Sequence, residues 1–172
     1  MRNSLVDLTN GKLPAGLVEL YGHVATTAAA LKISFFVVNV LVAMASPAGV
    51  ALLRLIAWLD REREKRAKDA QDLEYLMRTY EKIPEINTAL FEEGFMEAHD
   101  WEQDLASAAK LGHDVGLVAS AESSEKLQDR LIKNHQATAE LAREMRASRG
   151  PDPLTQPMLG AFLRAFQQAA QA

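Results

Sequence analysis

The sequence contains no cysteine. That alone excludes disulfide bonds, zinc–thiolate centres and thiol nucleophiles. It leaves the redox compartment open, because a cysteine-free chain suits any of them. Aromatic residues make up only 6% of the 172 positions, and valine is concentrated in one stretch near residue 40. Alanine and leucine are abundant instead, which favours helix over sheet, since both enter a helix at little entropic cost. The formal net charge is −4 and no basic tail stands at either end. This argues against binding nucleic acid by phosphate neutralisation, so no sequence-specific nucleic-acid partner is expected.

Catalytic signatures are missing as well. No Gly-x-Ser-x-Gly, phosphate-binding loop or dinucleotide fingerprint occurs. The acidic, aromatic stretch FEEGFMEAHDWEQD, residues 91–104, comes nearest to a site. Glu93 and Glu97 are four apart there, and His99 adjoins Asp100. A di-iron bundle would need Glu-x-x-His on each of two helices, but the residue three before His99 is Met96. A zinc helix would need two histidines four apart around a glutamate, and that pattern is absent too. The stretch is expected to be a solvated acidic face with Phe95 and Trp101 turned inward. His23 is isolated, His113 is expected in a loop beside Asp114, and His135 flanks a polar helix seam. No catalytic residue, cofactor or metal is expected, and an enzyme is the least supported class.

What the sequence does carry is ISFFVVNVLVAMASPAGVALL, from Ile33 to Leu53, bounded by Lys32 and Arg54 and without an internal charge. A bilayer core of about 30 Å takes about 20 apolar residues as helix. The window from Ile33 to Ala51 averages roughly 1.9 in hydropathy, within the range of a membrane span. Helices inside soluble proteins seldom stay apolar on every face for so long. The candidate membrane-inserting or buried residues are Phe35, Phe36, Val37, Val38, Val40, Leu41 and Val42 on one side of Pro47, and Val50, Leu52 and Leu53 on the other. Trp58 just beyond suits an interfacial anchor. Asn39 inside the stretch would need a partner on a neighbouring helix. Ser46-Pro47-Ala48-Gly49 is expected to kink the helix or split it into a hairpin with arms Leu31–Ala45 and Val50–Leu59. The opening MRNSLVDLTNGKLPAG has one early arginine, Asp7 and no apolar core before residue 30. It does not match a signal peptide, so the Ile33–Leu53 stretch is expected to make any membrane contact.

The organisation expected from these patterns is an arm at 1–13, an apolar region at 14–59, a charged helical region at 60–148, and a Pro-rich linker with a short helix at 149–172. Pro14 suits a first helical turn. A long helix is expected from Gly49 to Ile83. In it Glu62 precedes Arg66 by four, as Glu64 precedes Lys68, and Leu59, Arg63, Arg66, Ala70, Leu73, Met77 and Tyr80 follow coiled-coil spacing. A third helix is expected from Pro84 to Leu111, with Ile86, Leu90, Met96, Leu105 and Ala108 on one face. A loop, GHDVGLVASAESS, follows. In the fourth helix, Ser124–Ser148, the residues Leu127, Leu131, Asn134, Thr138, Leu141 and Met145 alternate by four and three. Their polar centre marks them as candidate oligomer contacts. The stripe Leu159, Phe162, Leu163 and Phe166 in the terminal helix is expected to dock away from the bundle, on a neighbouring subunit or a partner's groove, the alternative being a helix that caps the chain's own core.

The fold class expected is all-α, an elongated bundle of long helices with an apolar helix or Pro-Gly-broken hairpin near the N-terminus. The function expected is that of a structural, membrane-active homo-oligomer that forms a channel, pore or envelope-perforating assembly, with a phage virion or ejection component as one form of it. Its partners would be copies of itself, a lipid bilayer and other assembly proteins through the C-terminal helix. Arg54, Arg61, Arg63, Lys65, Arg66 and Lys68 follow the apolar stretch, so direct insertion would leave the C-terminal region in the cytoplasm. The alternative is a soluble virion-core, scaffold or adaptor protein whose apolar stretch is buried between subunits.

Overall fold

The computed structural model describes residues 46–146, 150 and 152–171. They belong to one packed unit, 43–172, and every regular element among them is helical. The candidate residues Phe35, Phe36, Val37, Val38, Asn39, Val40, Leu41 and Val42 lie outside the described residues, as do the 1–13 arm, the first hairpin arm, Pro14 and His23.

Helix α1 spans Pro47–Asp60. Pro47 starts a helix, and the first arm of the expected kinked helix or hairpin lies outside the described residues. The proline occupies the first turn, where a missing N–H leaves nothing unsatisfied, and the Ser46 Oγ caps the helix by accepting from the Gly49 N–H at 3.1 Å. Ala48, Ala51, Leu55 and Trp58 recur at helical spacing and are buried. Leu53 on the other side is exposed, and Val50 and Leu52 are half-buried. The C-terminal half of the apolar stretch is thus one-sided in burial, although not in charge.

The expected helix from Gly49 to Ile83 is two helices. Helix α2 spans Ala67–Thr79, and residues 61–66 connect it to α1. A buried polar cluster spans the break. Arg61 reaches forward to the fully buried Asp69 at 2.7 Å, and Arg54 of α1 bonds the other oxygen of the same carboxylate at 2.9 Å. A continuous helix would have carried these arginines past it. Arg63 and Arg66 are therefore connector residues rather than members of a seam, and Glu62 pairs with Lys65 instead of Arg66. A 3-10 turn, Tyr80–Lys82, follows α2.

The segment from Pro84 is also divided. Helix α3 spans Pro84–Glu92, α4 spans Phe95–Ala98 and α5 spans Gln103–Val118. Gly94, at φ +77°, ends α3 in the left-handed conformation that glycine adopts freely. The expected apolar face survives the breaks: Leu90, Met96 and Ala108 are buried, and Ile86 and Leu105 pack on the core. Residues 112–118, expected in a loop, continue α5. Only 119–120 separate it from α6, Ala121–Leu127, whose cap is the Ser120 Oγ accepting from the Ser123 N–H. Helix α6 passes into a π-helical turn, Gln128–Ile132. Helix α7, His135–Arg146, follows a break at Asn134, so the strict four-three spacing does not lie along one continuous helix. Helix α8 spans Thr155–Ala169.

Helix α8 makes the most extensive contact in the unit, against α5. The stripe Leu159, Phe162, Leu163 and Phe166 is buried in the chain's own core, which corrects the expectation that it docks elsewhere. Glycine explains the contact. A Cβ on Gly112 would stand 2.1 Å from the Phe162 carbonyl oxygen, and one on Gly116 would stand 2.8 Å from that of Phe166. The two backbones approach too closely for any side chain between them. Each helical glycine is disfavoured by about 1 kcal/mol relative to alanine, but here the close approach seats both phenylalanines in the core.

Gly112→Ala should therefore destabilise the protein by about 2 kcal/mol or more, because a backbone carbonyl must move. Gly160→Ala should stabilise by up to about 1 kcal/mol, since its Cβ would meet only the end of the Arg164 side chain, at 3.2 Å. Chemical denaturation of the two variants beside the parent checks the contrast.

Candidate functional site

Three polar centres and an exposed aromatic surface are the candidates. The first centre joins α1, its connector and α7. Trp58 is 1% exposed, and its indole N–H donates to the Glu144 Oε2 at 2.7 Å. It is a core residue rather than an interfacial anchor. The Arg66 guanidinium lies over its ring at 4.2 Å and bonds Glu140 at 2.7 Å and Glu144 at 3.0 Å. Arg63 also pairs with Glu140. A polar cleft of about 460 Å³ adjoins this network beside the π turn. Its charged groups are already engaged, for Arg130 pairs with Asp60 and Arg66 with the two glutamates.

The second centre joins the 3-10 turn to α5. Lys110 is almost wholly buried and bonds Glu93 and Asp114, each at 2.9 Å. Burial by itself would favour the neutral amine, but the hydrogen bonds and charges of the two carboxylates outweigh it and hold the pKa above the ordinary lysine value. The Tyr80 hydroxyl donates to Asp114 at 2.7 Å. Burial, and then that hydrogen bond, push the phenol well above its ordinary range. Both groups keep their protons near neutrality, so neither of the two acts as a base there, and their bonds fasten elements together. His113 sits on α5 rather than in a loop, 3.2 Å from Asp114 and edge-on to Phe95.

Beside this cluster lies a cleft of about 300 Å³ between α4, α5 and α8. Ala109, Ala161 and Ala165 floor it, Phe95 walls it, and His99 and Arg164 stand at its rim. The third centre is Arg78, which pairs with Glu74, Asp104 and Asp152. The buried Thr155 donates to the same glutamate at 3.3 Å. Ser123 and Lys126 stand three apart on α6, a spacing that a serine nucleophile with a lysine base would use. The Lys126 ammonium is held by Asp60 at 2.7 Å, and the Ser123 hydroxyl accepts from Ser120. Among the described residues no cluster of His, Asp or Glu is arranged to hold a metal.

Of the residues expected to form an oligomer seam, Leu127, Leu131, Leu141 and Met145 lie in the chain's own core. Asn134 is exposed at the break, where its side-chain oxygen accepts from the Ala137 N–H. The Thr138 hydroxyl donates to the Leu131 carbonyl at 2.8 Å.

Trp101 is the clearest departure from expectation. It is 65% exposed rather than turned inward, and its ring centroid lies 6.3 Å from that of Phe91, itself 55% exposed. Asp100 and Trp101 hold φ of +53° and +64° in succession. A left-handed tryptophan is strained by about 1 kcal/mol or more. The turn is pinned by backbone bonds from the Trp101 N–H to the Met96 carbonyl and from the Glu102 N–H to that of His99. Helical spacing gave no sign of it, because the two backbone conformations invert the direction of the side chain.

No protein-family model, curated protein or solved structure matches the chain.

Two outcomes follow from these geometries. The Arg66 hydrogen bond, opposed by desolvation and aided by the charges of Arg63 and Arg66, holds the Glu140 carboxyl below its ordinary value of 4.5. Its contribution to stability is complete above about pH 4.5 and is lost as the pH falls through the lower folded value. Glu140→Gln should flatten that part of the acid-unfolding curve and leave the slope near neutrality unchanged. At the strained turn, Trp101→Asn tolerates the left-handed conformation and should exceed Trp101→Ala in stability by about 1 kcal/mol, measured by thermal denaturation.

Proposed function

We propose that the chain is a membrane-tethered helical assembly protein, in which an apolar segment, 24–45, holds at a bilayer the helical unit that begins at Ser46. The observation that carries this is the boundary at Ser46–Pro47. Ser46 caps a helix there, and Ala48, Ala51, Leu55 and Trp58 beyond it belong to the core of the unit. Among the described residues no helix is long and apolar enough to cross a membrane. The apolar sequence that remains is the part before Ser46, extended backwards through VATTAAAL. Residues 24–45 average roughly 1.9 in hydropathy and are of spanning length. Lys32 is their only Lys, Arg, Asp or Glu.

Lys32 and Asn39 are polar groups of the kind that neighbouring helices satisfy in a bilayer, which supports self-association through this segment. The basic residues after Ser46 place the helical unit on the cytoplasmic side under the positive-inside rule. A channel or envelope-perforating wall would need apolar seams free on the charged helices. Leu127, Leu131, Leu141 and Met145 are used within the chain, so a tether that presents a folded unit is put forward instead. The soluble scaffold is the second candidate. It is favoured by the way Pro47–Trp58, equally uncharged apart from Arg54, serves as ordinary core.

Flotation of the full chain with liposomes, beside carbonate extraction, separates the two. The parent is expected to float and to resist carbonate. Val38→Lys combined with Val40→Lys should release it, because each lysine near the centre of a span is disfavoured by about 3 kcal/mol. A parent that stays soluble as a defined oligomer and ignores liposomes rejects the tether and leaves the scaffold.

A further inference from the structure

We propose that the Phe91–Trp101 surface is a docking site for a basic segment of a partner protein, one that carries arginine or lysine beside an apolar side chain. The surface joins two large exposed aromatic rings from α3 and the strained turn. Tryptophan and arginine dominate binding energy at protein interfaces, and exposed aromatic faces attract cations. A strained backbone that turns a tryptophan outward opposes burial of the most apolar side chain in the segment, the pattern found where a binding surface is retained against stability.

Charge selects the occupant. Between Lys82 and Lys110 the chain carries Glu85, Glu92, Glu93, Glu97, Asp100, Glu102 and Asp104, and all 19 of its lysines and arginines lie outside this span. Glu93 and Asp104 are paired, with Lys110 and Arg78, and Glu85 and Glu102 sit at helix starts where the dipole favours a carboxylate. Three carboxylates close to Phe91 and Trp101 in sequence are left. Glu92 adjoins Phe91 at the C-terminal end of α3, where a negative charge is disfavoured. Glu97, in α4, and Asp100, in the turn, precede Trp101. All three are exposed, and none pairs with a cation among the described residues. An exposed apolar pair flanked in sequence by exposed carboxylates complements a basic, apolar-anchored segment. It repels an anionic lipid surface or an acidic peptide.

This is independent of the membrane tether. The test uses the full chain and two labelled helical peptides, one of leucine and arginine and one with glutamate at each arginine position. The chain has two tryptophans, of which Trp58 is buried and Trp101 exposed, so the emission change on binding reports Trp101. The arginine peptide is expected to bind and the glutamate peptide is not. Trp101→Ala should weaken binding at least about tenfold. Glu92→Gln, Glu97→Gln and Asp100→Asn together should weaken it and remove most of its salt dependence. Since these side chains are exposed, the variants should fold, and circular dichroism verifies that they do. Equal binding of both peptides, no binding of either, or binding indifferent to Trp101 would overturn the proposal. So would Trp101-dependent self-association or adsorption to zwitterionic vesicles, which would assign the face to a second copy or to a bilayer.

Discussion

The close approach of α5 to α8 is the constraint on which the rest of the unit depends. Protein interiors tolerate almost no empty volume, so a helix can sit this near another only if the atoms between them are removed. Gly112 and Gly116 remove them. The consequence propagates outward. Phe162 and Phe166 become fully buried, and they meet a core that also takes Leu55 and Trp58 from α1, Leu73 and Met77 from α2, and Leu141 and Met145 from α7. In a sequence so poor in aromatics, two phenylalanines and one tryptophan supply the largest buried side chains, and all three depend on helices that reach close to one another.

Around this core the polar interactions act as fasteners between elements distant in sequence. Asp69 is fully buried and is satisfied by Arg54 from within α1 and by Arg61 at the start of the connector. Glu74 is nearly buried and receives Arg78 and Thr155, which brings the start of α8 to α2. Glu144 receives Trp58 and Arg66. No buried side-chain nitrogen or oxygen among the described residues lacks a partner. Removing one member of such a pair leaves a buried charge unsolvated, which is far more destabilising than the pair is stabilising. These groups therefore specify one arrangement of helices more than they add to its stability. The acidic span from α3 to the start of α5 differs in kind. Several of its carboxylates face water without a cation partner among the described residues, and two of its three aromatics, Phe91 and Trp101, face water too.

Parts of the architecture were legible in the sequence. Composition and propensity implied an all-helical chain, Pro84 marked a helix start, and the apolar positions Leu90, Met96, Leu127, Leu131, Leu141 and Met145 followed from spacing. The breaks between helices did not. Periodicity registers which residues face one way, and it persists across a short connector when both flanking helices face the same core, as on either side of residues 61–66 and at Asn134. Gly112 and Gly116 misled in the opposite sense, since glycine at 112–118 resembles a loop unless a second helix is known to press against it. The outward Trp101 depended on two left-handed residues with no glycine or asparagine to announce them.

The sequence by itself determined the helical class, the absence of thiol chemistry, the location of the apolar run and the clustering of carboxylates between Lys82 and Lys110. These are properties of composition and local order, and they hold whatever the chain packs against. Only the tertiary structure decided that Ala48 and Ala51 of the apolar run belong to the core, that the C-terminal stripe is spent on the chain's own bundle, and that Trp101 faces solvent. Each of these turns on how a given space is filled: by α5 for the stripe, by Glu144 at the Trp58 indole, and by a left-handed turn that leaves Trp101 exposed beside Phe91. Local pattern records that a side chain is apolar. Whether it is covered depends on contacts made across the whole fold.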